Sequence, residues 1–218
     1  MITWKDVAND TAVKTYIKKA DESLIALGYT EHSFIHVGRV AQVAGEILTT
    51  LGYPDREVEL AKIAGYLHDI GNVVNRVDHA QSGALMAFRI LDRMGMEAEE
   101  ISTVITAIGN HDESTAFPVN AVAAALILAD KTDVRSSRVR NQDFATFDIH
   151  DRVNYSVKRA KVTVEKDEYI ELNLEIDTSV CAVMDYFEIF IGRMLLCKKS
   201  AEKLSLRFRL VINGQTIL

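Results

Sequence analysis

Four histidines stand beside acids in stretches that are otherwise apolar. His36 lies in FIHVGRV, His68 and Asp69 in AGYLHDIGN, His79 in DHAQSGA and His111 in AIGNHDE. A further block, LILADKTD, carries Asp130 and Lys131. A carboxylate beside an imidazole at the end of an apolar helix is costly to bury unless it is paired or bound to a metal. Imidazole and carboxylate together are the donor set for Zn, Fe or Mn, and a carboxylate can bridge two ions. The alternative for such a cluster is a hydrogen-bonded network without metal.

Those blocks need rigid elements to bring them together. Apolar residues recur at helical spacing over 5–27, 31–51, 54–71, 79–94, 97–110 and 119–132, and Gly28 and Gly52 end the first two runs. The third and sixth runs are apolar on most faces, which places them in the interior. Asp78 stands where it would cap the fourth. The pattern changes after about residue 158. Val162, Val164, Ile170, Leu172, Leu174 and Ile176 alternate with polar residues around Lys166-Asp167-Glu168, the mark of a hairpin. A helix over 178–199 and a strand over 203–212 follow, with a turn at Asn213-Gly214. The expected fold is mainly α: a helical body over 1–158 and a small α+β appendage (hairpin, helix, strand) over 159–218.

The blocks His36…His68-Asp69…Asp130 resemble the HD superfamily of metal-dependent phosphohydrolases. HVGRV is similar to its first-ligand helix, GYLHDIGN to its central motif and LADKTD to its last, over about residues 30–140. The resemblance implies an HD-domain helical bundle. His36, His68, Asp69 and Asp130 would hold one divalent ion, and Asp69 would bridge to a second held by His79 and His111. The ions would be Fe, Mn or Zn, with Mg or Co as further options. The implied chemistry is hydrolysis of a phosphoester or phosphoanhydride in a nucleotide-like substrate by metal-activated hydroxide. Asp69 and Lys131 are the expected catalytic residues.

The order of ligands is similar to that of HD diadenosine tetraphosphate hydrolases and, in part, of the cyclic-dinucleotide phosphodiesterases with a GYP signature. No GYP tripeptide occurs here, and Asn110-His111 stands where those enzymes have paired histidines. The C-terminal unit has no match in the tetraphosphate hydrolases.

After Asp130 come Lys131, Arg135, Arg138 and Arg140, four cations against Asp133. They could grip phosphate by charge-assisted bonds, as in the arginine-containing stretch of HD endoribonucleases. Lys131, Arg135, Arg138, Asn72 and Asp112 are therefore candidate substrate-binding residues, and Glu113 a proton-transfer group. A nuclease or phosphodiesterase acting on RNA or cyclic nucleotides is the alternative reading. A non-catalytic metal- or nucleotide-binding sensor is the alternative from another class. His32 and His150 fall outside the pattern and read as partly exposed residues near helix starts.

The net charge of -6 counts against a nucleic-acid partner, and the resemblance implies a small phosphorylated or nucleotide-like one. No run approaches the ~20 apolar residues of a membrane span, and the N-terminus has no signal-peptide pattern. A cytoplasmic location is expected. Cys181 and Cys197 are expected as buried thiols, and a homodimer is one possible assembly.

Overall fold

The structure is a computed structural model that describes residues 1–141 and 143–218. Its first helical stretch is two helices, where the periodicity predicts one. α1 (Trp4–Asn9) and α2 (Thr11–Ala26) part at Asp10. The Asp10 carboxylate accepts the backbone N–H groups of Ala12 at 2.9 Å and Val13 at 3.0 Å. A cap of this kind satisfies donors that a helix start leaves unpaired.

α3 (Phe34–Leu51) opens on Ser33, whose hydroxyl accepts from the Ile35 N–H, and closes on Gly52 in the left-handed region. α4 (Asp55–Leu67) stops short of the predicted Gly71, and a 3-10 turn over Ile70–Val73 follows. α5 (His79–Arg93), α6 (Ala98–Gly109) and α7 (Ala121–Lys131) complete the body. Asp78 does not cap α5 through its side chain; its backbone turns at φ 56°. α3 and α4 approach closely at Gly65, where a Cβ would fall 2.8 Å from the Ala41 Cα. α7 packs against α3, α4 and α6 and is buried from Val122 to Ala129. Its near-uniform apolarity reflects that central place.

Beyond α7 the chain forms α8 (Ile149–Ser156), β1 (Val157–Glu165), β2 (Tyr169–Ile176), α9 (Val183–Lys203), β3 (Arg207–Ile212) and β4 (Gln215–Thr216). The sheet runs in the order β1-β2-β3-β4. β1 and β2 are the expected hairpin, with Val162 opposite Leu172. β3 lies parallel to β2, with Leu172 opposite Leu210, so α9 is the crossover between them. One sheet face buries Ile170, Leu172, Leu174, Phe208 and Leu210 in the same apolar cluster as Tyr186, Phe190, Met194 and Cys197 of α9. α9 packs on α7 as well, so that cluster continues into the helical body. The fold is thus a mainly helical body with a small α+β unit. Cys181 and Cys197 are free and buried. Among the described residues no helix is long and apolar enough to cross a membrane.

Candidate metal centre

α3, α4 with its following turn, α5, the end of α6 and the end of α7 bring six side chains to one place. His36 and His68 are fully buried, and Asp69, His79 and His111 nearly so. Asp69 joins two halves of the cluster. Its Oδ2 lies 3.1 Å from His68 Nε2 and 3.5 Å from His36 Nε2. Its Oδ1 lies 3.6 Å from His79 Nε2 and 4.0 Å from His111 Nε2. Asp130 Oδ1 closes the first half, 3.4 Å from His36 Nε2 and 3.7 Å from His68 Nε2.

Each imidazole is anchored in the same manner. The Nδ1 atoms of His68, His79 and His111 lie 2.8, 3.0 and 2.6 Å from the carbonyls of Gly65, Arg76 and Ile108. His36 Nδ1 lies 2.8 Å from Asp133 Oδ2. Carbonyls and carboxylates only accept, so each Nδ1 carries a proton, and in the neutral ring the Nε2 offers a lone pair. Anchored imidazoles of this kind are how proteins hold metal-ligating histidines.

Among the described residues, three buried polar atoms in the cluster have no hydrogen-bond partner: His36 Nε2, His68 Nε2 and Asp69 Oδ2. Orphaned polar atoms are costly in an interior. Their convergence suits a divalent cation, and two donor triplets stand close enough to hold one: His36, His68, Asp130 and His68, Asp69, His111.

Electrostatics agree with that fit. Burial alone would raise the Asp69 carboxyl, but the imidazoles of His68, His32 and His36 hold it well below the usual carboxylate range. Burial opposes ionisation of Asp130 also, and Lys131 with the imidazoles of His36 and His68 outweighs it. Burial, with the charges of His68 and Lys131, pushes His111 down to about 3, which keeps it neutral. His68 goes the other way, to about 10, because Asp69 and Asp130 overcome its burial. Without an ion the two carboxylates draw a proton to His68, and an ion competes for that place.

The local chain explains the geometry. Gly71 in the turn after Asp69 lies so near α5 that a Cβ would fall 2.0 Å from the His79 carbonyl and 2.5 Å from the Gly83 nitrogen. Only glycine lets this turn and α5 bring Asp69 and His79 together. Asn72 donates to the Asp69 carboxylate at 3.0 Å and is itself buried, so it orients that side chain from beneath.

A cavity of about 330 Å³ opens over the cluster, lined by Asp69, His79, His111, Asp130, Lys131 and Arg138 among others. Lys131 Nζ lies 2.7 Å from Asp130 Oδ2 and 3.8 Å from Glu113 Oε1. Asp112 and Asn72 are not among the lining residues, although Asp112 lies 4.0 Å from His79 Nε2. Arg135 is not among the lining residues. Its guanidinium grips Asp133 at 2.6 and 3.0 Å and reaches Glu31 at 3.5 Å. Arg138 lines the cavity, and its Nε and Nη1 donate to the carbonyls of Glu31 and Asp133. Arg140 pairs with Asp21.

Several lining residues had no sequence signal. Phe190 and Arg193 reach the cavity from α9, and His150 and Asn154 from α8. His32 lines it too, half-buried, with its ring 5.5 Å from that of His36. Arg76 and Tyr29 come from loops. Asp133, which holds His36, had a faint signal in its place three residues beyond Asp130.

The family profile that matches this chain is that of the HD domain, over residues 33–135. An uncharacterized protein of Methanocaldococcus jannaschii is 25% identical over 194 residues, which cover 78% of this chain and 74% of that one. The ribonuclease Y of Oceanobacillus iheyensis is 32% identical over 117 residues, 52% of this chain and 21% of that protein. The ribonuclease Y of Enterococcus faecalis is 31% identical over 120 residues, again 21% of its length. The chain thus spans about a fifth of those ribonucleases. A crystal structure described as a predicted HD superfamily hydrolase, from an uncultured Thermotogales bacterium, superposes with a TM-score of 0.45. It is 26% identical and covers 57% of this chain and 67% of its own.

Proposed function

Taking as premise that the chain carries an HD domain over residues 33–135, we propose that it is a metal-dependent phosphohydrolase acting on a small nucleotide-like phosphoester or phosphoanhydride. One observation carries this reading. Four anchored imidazoles turn their Nε2 atoms toward the carboxylates of Asp69 and Asp130, and three of the buried ligand atoms there make no well-formed hydrogen bond among the described residues.

In this reading His36, His68, Asp69 and Asp130 hold one divalent ion, and Asp69, His79 and His111 hold a second. Ions there would polarise a phosphoryl oxygen and lower the pKa of water to roughly 7. The protein does the rest. Asn72 fixes the Asp69 carboxylate. Lys131, beside Asp130, offers a positive charge to a developing phosphoryl oxyanion. α8 and α9 wall the cavity and limit it to about 330 Å³, which favours a small substrate.

The likeness to two proteins named ribonuclease Y supports a second reading, cleavage of RNA. The net charge of -6 weighs against it. Metal content per chain and phosphate release separate these possibilities. Protein purified without chelator is assayed with nucleotides, cyclic nucleotides and RNA in the presence of Mn, Fe, Co, Zn or Mg. Turnover of small nucleotides with metal bound supports the first reading, and turnover of RNA alone transfers it to the second. Bound metal with no turnover of any substrate points to a sensor and overturns both.

A further inference from the structure

We infer that Arg76 is a substrate-phosphate residue, poised beside the part of the cluster formed by Asp69, His79 and His111. The inference rests on the phosphohydrolase reading and deepens it.

Four cationic side chains line the cavity: Arg76, Lys131, Arg138 and Arg193. Three are engaged with carboxylates. Lys131 lies on Asp130 at 2.7 Å, Arg193 on Glu113 at 2.5 Å, and Arg138 within 3.9 Å of Asp133. Arg76 has no carboxylate within 4.0 Å among the described residues. Its Nη1 makes two long contacts, to Asn72 Oδ1 at 3.3 Å and to His79 Nε2 at 3.5 Å. Its guanidinium lies over the Tyr29 ring, 5.4 Å from the centroid.

The placement inverts the usual rule that charge faces water. Val74 and Val77 are 66% and 72% exposed, while the arginine between them is half-buried and turned into the cavity. The same residue also orients the candidate ligand, since its carbonyl accepts from His79 Nδ1 at 3.0 Å. Its guanidinium, with Nη1 3.5 Å from His79 Nε2, sits on the lone-pair side of that ring, where an ion would be held. A guanidinium and a metal cation repel each other at such range unless an anion joins them. A phosphoryl group does so, because the flat fork of arginine matches two phosphate oxygens. The vacant donors of Arg76 thus mark the position of the substrate's charge.

Inorganic phosphate is the probe. It is titrated by calorimetry into the Mn-loaded full chain, with metal content measured for each variant. The expected result is that R76Q weakens phosphate binding at least about 10-fold, the worth of one charge-assisted bond, while Mn content stays at the wild-type value. R76K keeps the charge without the fork and should fall between. Equal phosphate affinity in wild type and R76Q overturns the inference and leaves the phosphohydrolase reading standing. Loss of Mn in R76Q also overturns it, since the side chain would then serve to support the metal ligands rather than to bind phosphate. A wild-type chain that binds Mn but not phosphate overturns it as well. A wild-type chain that binds neither removes the phosphohydrolase reading too.

Discussion

His36 Nδ1 lies 2.8 Å from Asp133 Oδ2, in the buried interior. This pair reaches across 97 positions of sequence and joins α3 to the segment after α7. It fixes the imidazole so that Nε2 faces Asp69 and Asp130. Asp133 is in turn held ionised against its burial by His36, Arg135 and Arg138. Replacing it by asparagine (Asp133→Asn) keeps the size but lets His36 change tautomer. Metal affinity should drop about 10- to 100-fold, the usual effect of losing such a support. Competition with a chelator measures it, and an unchanged affinity would show that His36 needs no such partner.

Asp69 and His111 separate one ion from two. Asp69 faces all four imidazoles, whereas His111 meets the cluster through Asp69 Oδ1, beside His79 and His68 and away from Asp69 Oδ2. Asp69→Ala should therefore abolish metal and activity together. His111→Ala should leave about one ion per chain where the wild type holds two. Elemental analysis decides between them. Full metal content in Asp69→Ala removes the site assignment, and no change in His111→Ala makes the centre mononuclear.

Gly71 tests how closely the turn after Asp69 must approach α5. A methyl group there meets the His79 carbonyl and the Gly83 nitrogen, both backbone atoms that cannot swing aside. Gly71→Ala should cost about 1–3 kcal/mol of stability, as overpacking does, and lower metal content by moving His79. Denaturant unfolding gives the first number. A variant as stable as the parent would mean that α5 shifts freely.

The six candidate ligands were legible because rare residue types interrupt apolar helical runs. Such interruptions are expensive to bury, so the sequence itself marks them. Arg76 and Arg193 were not legible, since charged residues between helices or on an amphipathic helix are ordinary. Their meaning depends on which element folds over the cluster. Arg135 shows the converse. It looked like a phosphate ligand beside Lys131, and the fold commits it to Asp133. The helical periods were readable to within a few residues, except at Asp10, where a cap interrupts a spacing that continues through it. The parallel pairing of β3 with β2 was beyond the pattern, because alternation gives strands but not their order.

Asp10 gives a stability prediction with a definite pH sign. Burial would raise its carboxyl, but the N–H of Val13 and the guanidinium of Arg93 outweigh this and lower it. A group lowered on folding stabilises when ionised. Its contribution is complete above the ordinary carboxylate range and is lost as pH falls through the lowered folded value. Asp10→Ala should cost about 1 kcal/mol near neutral pH. The gap between variant and parent should shrink in acid, read from unfolding curves at several pH values. A gap independent of pH would mean that the cap does not act through its charge.

Lys131 is the sharpest test of catalysis apart from metal binding. Its Nζ lies 2.7 Å from Asp130 Oδ2, on the oxygen that does not face the imidazoles, and 3.8 Å from Glu113. It is buried at the end of α7, so its charge is poorly screened and strongly felt in the cavity. An ammonium there can meet negative charge that grows on a phosphoryl group during transfer. Interactions stronger in the transition state than in the ground state raise kcat, while uniform binding only lowers KM. Lys131→Ala should therefore retain metal and lose kcat by about 100-fold, on the scale of other single oxyanion donors. Lys131→Arg should recover part of the loss, because it keeps the charge. If Lys131→Ala instead raises KM alone, the residue binds substrate without assisting the step. If it changes neither constant, its role is to neutralise Asp130, and the charge that meets the phosphoryl group must come from elsewhere in the cavity.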